Sequence, residues 1–338
     1  MPPRSVNTIA RTLIQTMVRQ KVNSIKSDPE RSLRSLVDMG LSFAGTGAQQ
    51  RFLQQALLAL QDESSAYYRI IYDAVLHVDT ERLIGFGMNL GYNSLTAGSR
   101  IIRRLENECG YDIPWCLTLV LNRRGFDDHE AAYSDLIEQG KKMGIYTYLL
   151  MAQELPAGLL PLLQQQRDCA FLLFAAPGDL IEDVIDIIAQ LKNVVPVIRY
   201  EDGTEEICSA MRQREMLYSV FLPYHREKAE NLLTDGVMQD IEQLHSPLTC
   251  FVAYTSPENC TPSPLYQSIV SARNDLHLQT IPVELWEDLR FIDSVISPRS
   301  SHSVAFDAEG RLIRTDGSSD SSLSFIEKPL EEILSARR

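Results

Sequence analysis

The chain has 338 residues and a formal net charge of −13, from 32 Lys and Arg against 45 Asp and Glu, and 44% of it is hydrophobic. The acidic surplus excludes a surface built to hold phosphate backbones, which requires clustered cations, so no nucleic-acid partner is expected. Apolar runs such as "CLTLVLN" and "CAFLLFAAP" fall far short of the roughly 20 residues of a membrane span, and no signal-peptide core follows the first residues, so a cytoplasmic protein without a membrane role is expected.

Residues 1–82 read as a helical N-terminal region. The first 34 are locally basic (Arg4, Arg11, Arg19, Lys21, Lys26, Arg31, Arg34), and Ile9, Leu13, Met17 and Val18 supply an apolar side. That amphipathic pattern predicts a helix packed on the chain or on a partner. "RSLRSLVDMGLSF", "QQRFLQQALLAL" and "SAYYRIIYDAVLHV" likewise place apolar residues three and four apart. A Gly/Asn-rich connection follows over 83–112. Its "GFGMNLGYNSLTAGS" spaces glycines G-x-G-x-x-x-G, neither a dinucleotide fingerprint nor a phosphate loop. It reads as a structured connection whose Asn and Gly residues tolerate positive φ.

From 113 onward apolar strands alternate with amphipathic helices. Strand "WCLTLVLN" (115–122) precedes a helix at 128–143, with Asp127 and Glu130 as a capping pair. Strand 145–151 precedes a short helix at 157–167. "CAFLLFA" precedes a helix at 180–192, where Asp179 and Glu182 repeat the capping spacing. "VVPVIRY", "LYSVFLP" and "LTCFVAY" precede helices at 204–214, 226–244 and 263–276, and "QTIPVEL" follows. Six βα units with near-continuous apolar strands require a parallel sheet covered by helices. The expected fold class is α/β, a partial (βα)6 TIM-like barrel over 113–300. Residues 301–338 then read as a hairpin, "SHSVAFDAEGRLIRTDG", with a tail and a short helix at 327–336.

The six cysteines, at 109, 116, 169, 208, 250 and 260, form no C-x-x-C pair. Buried, reduced thiols and no metal are expected. In a βα-barrel, ligands meet the C-terminal ends of the strands. Asn122, Arg123, Glu154, Arg199, Glu201, Tyr224, His225, Tyr254, Glu284 and Trp286 stand there. A pocket with Arg199, Glu201 and His225 suits a small polar ligand. The same residues also read as helix caps and solvated loop side chains. No Ser-His-Asp order, H-E-x-x-H or carboxylate-rich metal motif is visible.

Four segments, in order, carry a resemblance: "YSDLIEQGKKMGIYTY", "LLPLLQQQRDCAFLLF", "YSVFLPYHREKAENLLTDGVMQDIEQL" and "IPVELWEDLRFIDSVISPRSSHSVAFDAEGRLI". From about 113 to 316 the chain resembles the radical S-adenosylmethionine enzymes, which implies their barrel. That family holds a [4Fe–4S] cluster by three cysteines spaced C-x-x-x-C-x-x-C after the first strand. Here the loop reads "NRRGFDDHEAAYSD", and no cysteine stands between Cys116 and Cys169. The family's Gly-Gly-Glu-Pro-like turn, which holds the amino group of S-adenosylmethionine, is matched only by Glu154 and Pro156 in "MAQELP". Ser301, His302 and Ser303 stand where related enzymes often carry auxiliary-cluster cysteines. "RYEDG" resembles the fourth-strand segment and makes Glu201 the best single carry-over.

The resulting expectation is a pseudoenzyme lacking both cluster and S-adenosylmethionine. It would act as a binding or regulatory partner of another protein or an active relative. Two alternatives stay open. One is an enzyme using the mouth for cluster-independent chemistry on a small polar ligand. The other is an atypical iron–sulfur enzyme with cysteines placed elsewhere, such as Cys109 or Cys260.

Overall fold

A computed structural model describes residues 4–337, apart from 45–46, 63, 227–228, 230–231, 234–235, 255–262, 276 and 298–303. Five helices lead: α1 (Arg4–Ile25), α2 (Pro29–Phe43), α3 (Gly47–Ala59), α4 (Ala66–His77) and α5 (Thr80–Gly87). Short polar side chains start three of them. Asp28, Ser65 and Asp79 accept from the backbone N–H groups of Arg31, Tyr67 and Arg82, donors that a helix start leaves without partners. The apolar stripes meet in a cluster of their own that includes Val22, Ile25, Leu33, Tyr68 and Ile84. Helix α1 is tied down further, with Arg19 on Glu81 at 2.6 Å. No described helix is long and apolar enough to cross a membrane.

α5 continues without a break through a π-helix (Met88–Gly98) into α6 (Ser99–Cys109). The connection expected to be structured is helical as far as Cys109. Only Gly110, at the end of α6, has positive φ in this stretch. The asparagines do staple it, by side-chain reach: Asn89 Nδ2 donates to the carbonyls of Arg167 and Cys169, both at 2.8 Å, and Asn93 Nδ2 to that of Asp168 at 2.8 Å. Gly98 makes the close approach possible, since a Cβ there would lie 2.3 Å from the Gly144 carbonyl oxygen.

The sheet holds β1 (Cys116–Leu121), β2 (Thr147–Ala152), β3 (Ala170–Ala175), β4 (Val194–Arg199), β5 (Ser219–Tyr224), β6 (Leu248–Ala253) and β7 (Ile281–Glu284), parallel and in chain order. Their near-continuous burial explains why they read as unbroken apolar runs. Each is followed by a helix: α7 (Arg123–Met143), α8 (Leu159–Gln165), α9 (Glu182–Ile188), α10 (Thr204–Gln213), α11 (Val237–Gln243), α12 (Pro264–Asp275) and α13 (Leu285–Ile296). The unit count is thus seven, not six. Helix α13 supplies the extra one, started by the Glu284 side chain accepting from Glu287 N–H.

The hairpin is not an appendage. β8 (Val304–Phe306) pairs in parallel with β1, with Leu117 opposite Val304 and Leu119 opposite Phe306. β9 (Arg311–Ile313) and β10 (Ser319–Ser324) add antiparallel strands, giving the order β10-β9-β8-β1-β2-β3-β4-β5-β6-β7. α14 (Leu330–Ala336) docks on α7 through Leu330 N–H and Gln139 Oε1 at 2.6 Å. Ser301, His302, Ser303 and Cys260 lie outside the described residues. Two capping expectations fail. α7 begins at Arg123 under an Asn122 cap, not at 128 under Asp127. Asp179 belongs to a 3-10 turn, Pro177–Asp179, and α9 starts at Glu182 without a side-chain cap. The helix expected over 226–244 is described only as Val237–Gln243.

Candidate functional site

At the C-terminal strand ends, the first connection is one residue long. Asn122 Oδ1 accepts Gly125 N–H at 2.7 Å and turns the chain straight into α7. Gly125 is required there, because a Cβ would lie 2.0 Å from the Ala308 carbonyl oxygen in the β8–β9 turn. After β2, Gln153 N–H donates to the Leu121 carbonyl at 2.8 Å, and Glu154 follows on the exposed loop. At the end of β4, Arg199 pairs with Glu201 at 3.2 Å. Thr204 fixes that turn, donating from Oγ1 to the Arg199 carbonyl at 2.8 Å and accepting Glu201 N–H at 3.0 Å.

Asp179 joins these groups. Burial pushes its carboxyl upward, Glu154 adds to the rise with a smaller push from Glu201, and Arg123 opposes it. Arg123, Glu154, Asp179 and Glu201 therefore share one electrostatic neighbourhood, with Arg199 on Glu201. The capping spacing in the sequence marks Asp179 as a helix cap, a role it does not fill. Its place directly after β3 was the available signal.

A second group lies over β5–β7. Tyr224 donates to Glu284 Oε1 at 2.8 Å, and Glu284 Oε2 accepts Glu287 N–H at 2.7 Å. Glu284 N–H donates to Asp288 Oδ2 at 3.0 Å, while Asp288 Oδ1 accepts from Arg273 at 3.0 Å and Tyr266 at 3.2 Å. Burial raises both the Glu284 and Asp288 carboxyls. The Tyr224 phenol is raised too, by burial first and Glu284 second. His225 packs on the Tyr254 ring, centroids 4.4 Å apart. Trp286 Nε1 donates to the Ala253 carbonyl at 2.9 Å.

Cys116, Cys169, Cys208 and Cys250 are buried, and burial pushes the last two thiols up to about 12. Cys109 departs from the expectation of burial and is exposed.

No protein-family model matches the sequence, and no curated protein matches it significantly. Solved structures do. Streptococcus suis SuiB bound to the precursor peptide SuiA superposes with a TM-score of 0.50 at 10% identity, over 68% of this chain and 67% of that one. SuiB bound to S-adenosylmethionine matches at 9% identity, over 68% and 66%, with a TM-score of 0.49. The radical S-adenosylmethionine methyltransferase TsrM of Kitasatospora setae, with cobalamin and a [4Fe–4S] cluster bound, matches at 11% identity over 50% and 45%, with a TM-score of 0.25. The fold is radical SAM-like. The chain spans about two-thirds of the length of these SuiB chains.

These matches correct one expectation. Structures with the radical SAM-like fold include one bound to S-adenosylmethionine and one carrying a [4Fe–4S] cluster, which overturns the expected absence of both. The donor set after β1 nonetheless does not fit a three-thiolate cluster. Residues 122–130 offer Asn, Arg, Asp, His and Glu but no thiol, and Cys116 is buried at the opposite end of the strand. Among the described residues no three His, Cys, Asp or Glu side chains are grouped to hold a metal ion.

Proposed function

We propose that the ends of β1–β4 bind a small polar ligand carrying an ammonium group, and that the chain works as a binding or regulatory partner. The observation behind this reading is the carboxylate surplus. Glu154, Asp179 and Glu201 stand against Arg123 and an Arg199 that already pairs with Glu201. A ligand cation beside Asp179 would favour its ionised form and complement the site. The engagement of the other mouth side chains supports binding over turnover: Asn122 and Glu284 hold helix starts, and Tyr224 is bonded to Glu284. S-adenosylmethionine, bound in one matched structure, carries such an ammonium and is the first probe. A peptide amine supplies the same group, and SuiB binds a precursor peptide.

The test is isothermal titration of the full chain with S-adenosylmethionine and with free amino acids, alongside Glu154→Gln and Asp179→Asn. Saturable binding that each variant weakens at least tenfold is expected. No heat from any of these ligands refutes the site. Conversion of a bound ligand, followed by mass spectrometry, refutes the binding-only role.

A second reading rests on Glu284. A buried carboxyl with a raised pKa at the strand ends matches the pattern of a catalytic acid. Under that reading Glu284→Gln abolishes conversion of a bound ligand and leaves its affinity unchanged.

A further inference from the structure

A cavity of about 410 Å³ lies between α1, α2, the π-helix and α13, away from the strand ends. We infer that it is a binding site for an uncharged, apolar small molecule. The inference does not rest on the role proposed for the mouth.

The first argument is size and lining. Small-molecule sites span about 300–1,000 Å³, and an apolar cavity of about 150 Å³ already stays dry and takes benzene. None of the described lining residues is charged, in a chain whose residues are 23% charged. Among the described lining residues only Tyr92 and Thr96 bring polar side-chain atoms, and Thr96 Oγ1 already donates to the Gly91 carbonyl of its own helix at 2.9 Å. Among the described lining residues an ionic ligand would find no counter-charge to replace its lost hydration.

The second argument comes from glycines. Gly87 and Gly91 lie one turn apart, both line the cavity, and a Cβ built on either meets nothing within 4 Å. Neither has positive φ. A glycine inside a helix is destabilising relative to alanine, and no neighbour requires these two. Gly85 and Gly98 have a packing reason, since a Cβ on Gly85 would meet the Lys192 carbonyl oxygen at 3.3 Å and one on Gly98 the Gly144 carbonyl oxygen at 2.3 Å, while Gly110 has positive φ. Gly87 and Gly91 keep space open rather than letting a neighbour approach. Gly91 lies in the π-helix and Gly87 directly precedes it; a π-helix is rare in proteins and frequent at functional sites.

The experiment titrates the full chain with N-phenyl-1-naphthylamine, an uncharged fluorophore, and with 8-anilinonaphthalene-1-sulfonate, the same skeleton bearing an anion. The uncharged probe is expected to bind saturably at one site with blue-shifted emission, and the sulfonate at least tenfold more weakly. Gly87→Leu and Gly91→Leu, which fill the cavity, are expected to weaken the uncharged probe at least tenfold without lowering the melting temperature. Gly178→Ala, at an open position outside the cavity, is expected to bind like wild type. Should a leucine variant lose its cooperative melt, Gly91→Ala is read instead, with about threefold weaker binding expected for one added methyl. Non-saturable uptake, equal affinity for the two probes, or filled variants that bind like wild type would overturn the assignment.

Discussion

Replacing Glu284 by alanine removes two contacts at once. Its Oε2 caps α13 through Glu287 N–H at 2.7 Å, and its Oε1 accepts from the buried Tyr224 hydroxyl at 2.8 Å. Losing a helix cap costs about 1 kcal/mol, and a buried hydroxyl left without an acceptor costs about 1–3 kcal/mol. Glu284→Ala should therefore destabilise by about 2–4 kcal/mol. Relief of a buried carboxylate offsets part of this, since burial already raises its pKa. Glu284→Gln can turn its oxygen to Glu287 N–H and keep the cap. Its amide can only donate to the Tyr224 oxygen and leaves that hydroxyl without an acceptor, so the variant should be less destabilising than alanine by about 1 kcal/mol, the value of the cap. Tyr224→Phe removes a hydrogen bond to a carboxylate, about 1.5–3 kcal/mol. Because Tyr224→Phe and Glu284→Ala delete the same bond, the double mutant should show a coupling of about 1–3 kcal/mol. Urea denaturation followed by circular dichroism measures all four corners of the cycle. Additivity within about 0.5 kcal/mol, or a glutamine variant as unstable as the alanine one, would refute the assignment of this pair as one unit.

Asn89→Ala should cost about 1–3 kcal/mol by leaving the Arg167 and Cys169 carbonyls without their donor; thermal melting checks it, with wild-type stability as the contrary result. Gly125→Ala overpacks the Ala308 carbonyl, at about 1–3 kcal/mol, and should speed proteolysis of the β8–β10 segment. The two ends of the pH range should respond to different groups. Glu284 and Asp288 have pKa values raised above 4.5 and 3.8, so their contribution is complete below those values and fades as pH rises through the folded ones. Asp73 is lowered below 3.8, chiefly by its hydrogen bond from Arg212, so its contribution is present above 3.8 and is lost as pH falls through the depressed value. Urea midpoints against pH should show Arg212→Gln flattening the acid limb, and the pair Glu284→Gln with Asp288→Asn flattening the slope above the carboxylate range.

The sequence by itself determined the alternation of strand and helix from residue 113 onward. Buried parallel strands must be apolar on both faces, and covering helices must carry a stripe, so both patterns are local. It also placed Arg123, Glu154, Arg199, Glu201, Tyr224 and Glu284 at strand ends, because a strand end is legible where an apolar run stops. What it could not determine were the partners. Tyr224 and Glu284 are 60 positions apart and meet only because β5 and β7 flank β6. Asp179 counted as a cap until folding set it beside Glu154 and Arg123. The 83–112 segment reads only as a structured connection, because its glycines and asparagines tolerate positive φ. Only the tertiary structure offers the carbonyls at 167–169 and Gly144 that make it a helix. β8 reads locally as half of a hairpin, while its parallel pairing with β1 spans nearly 190 positions. Contacts at such separations depend on the packed sheet, and no local pattern encodes them.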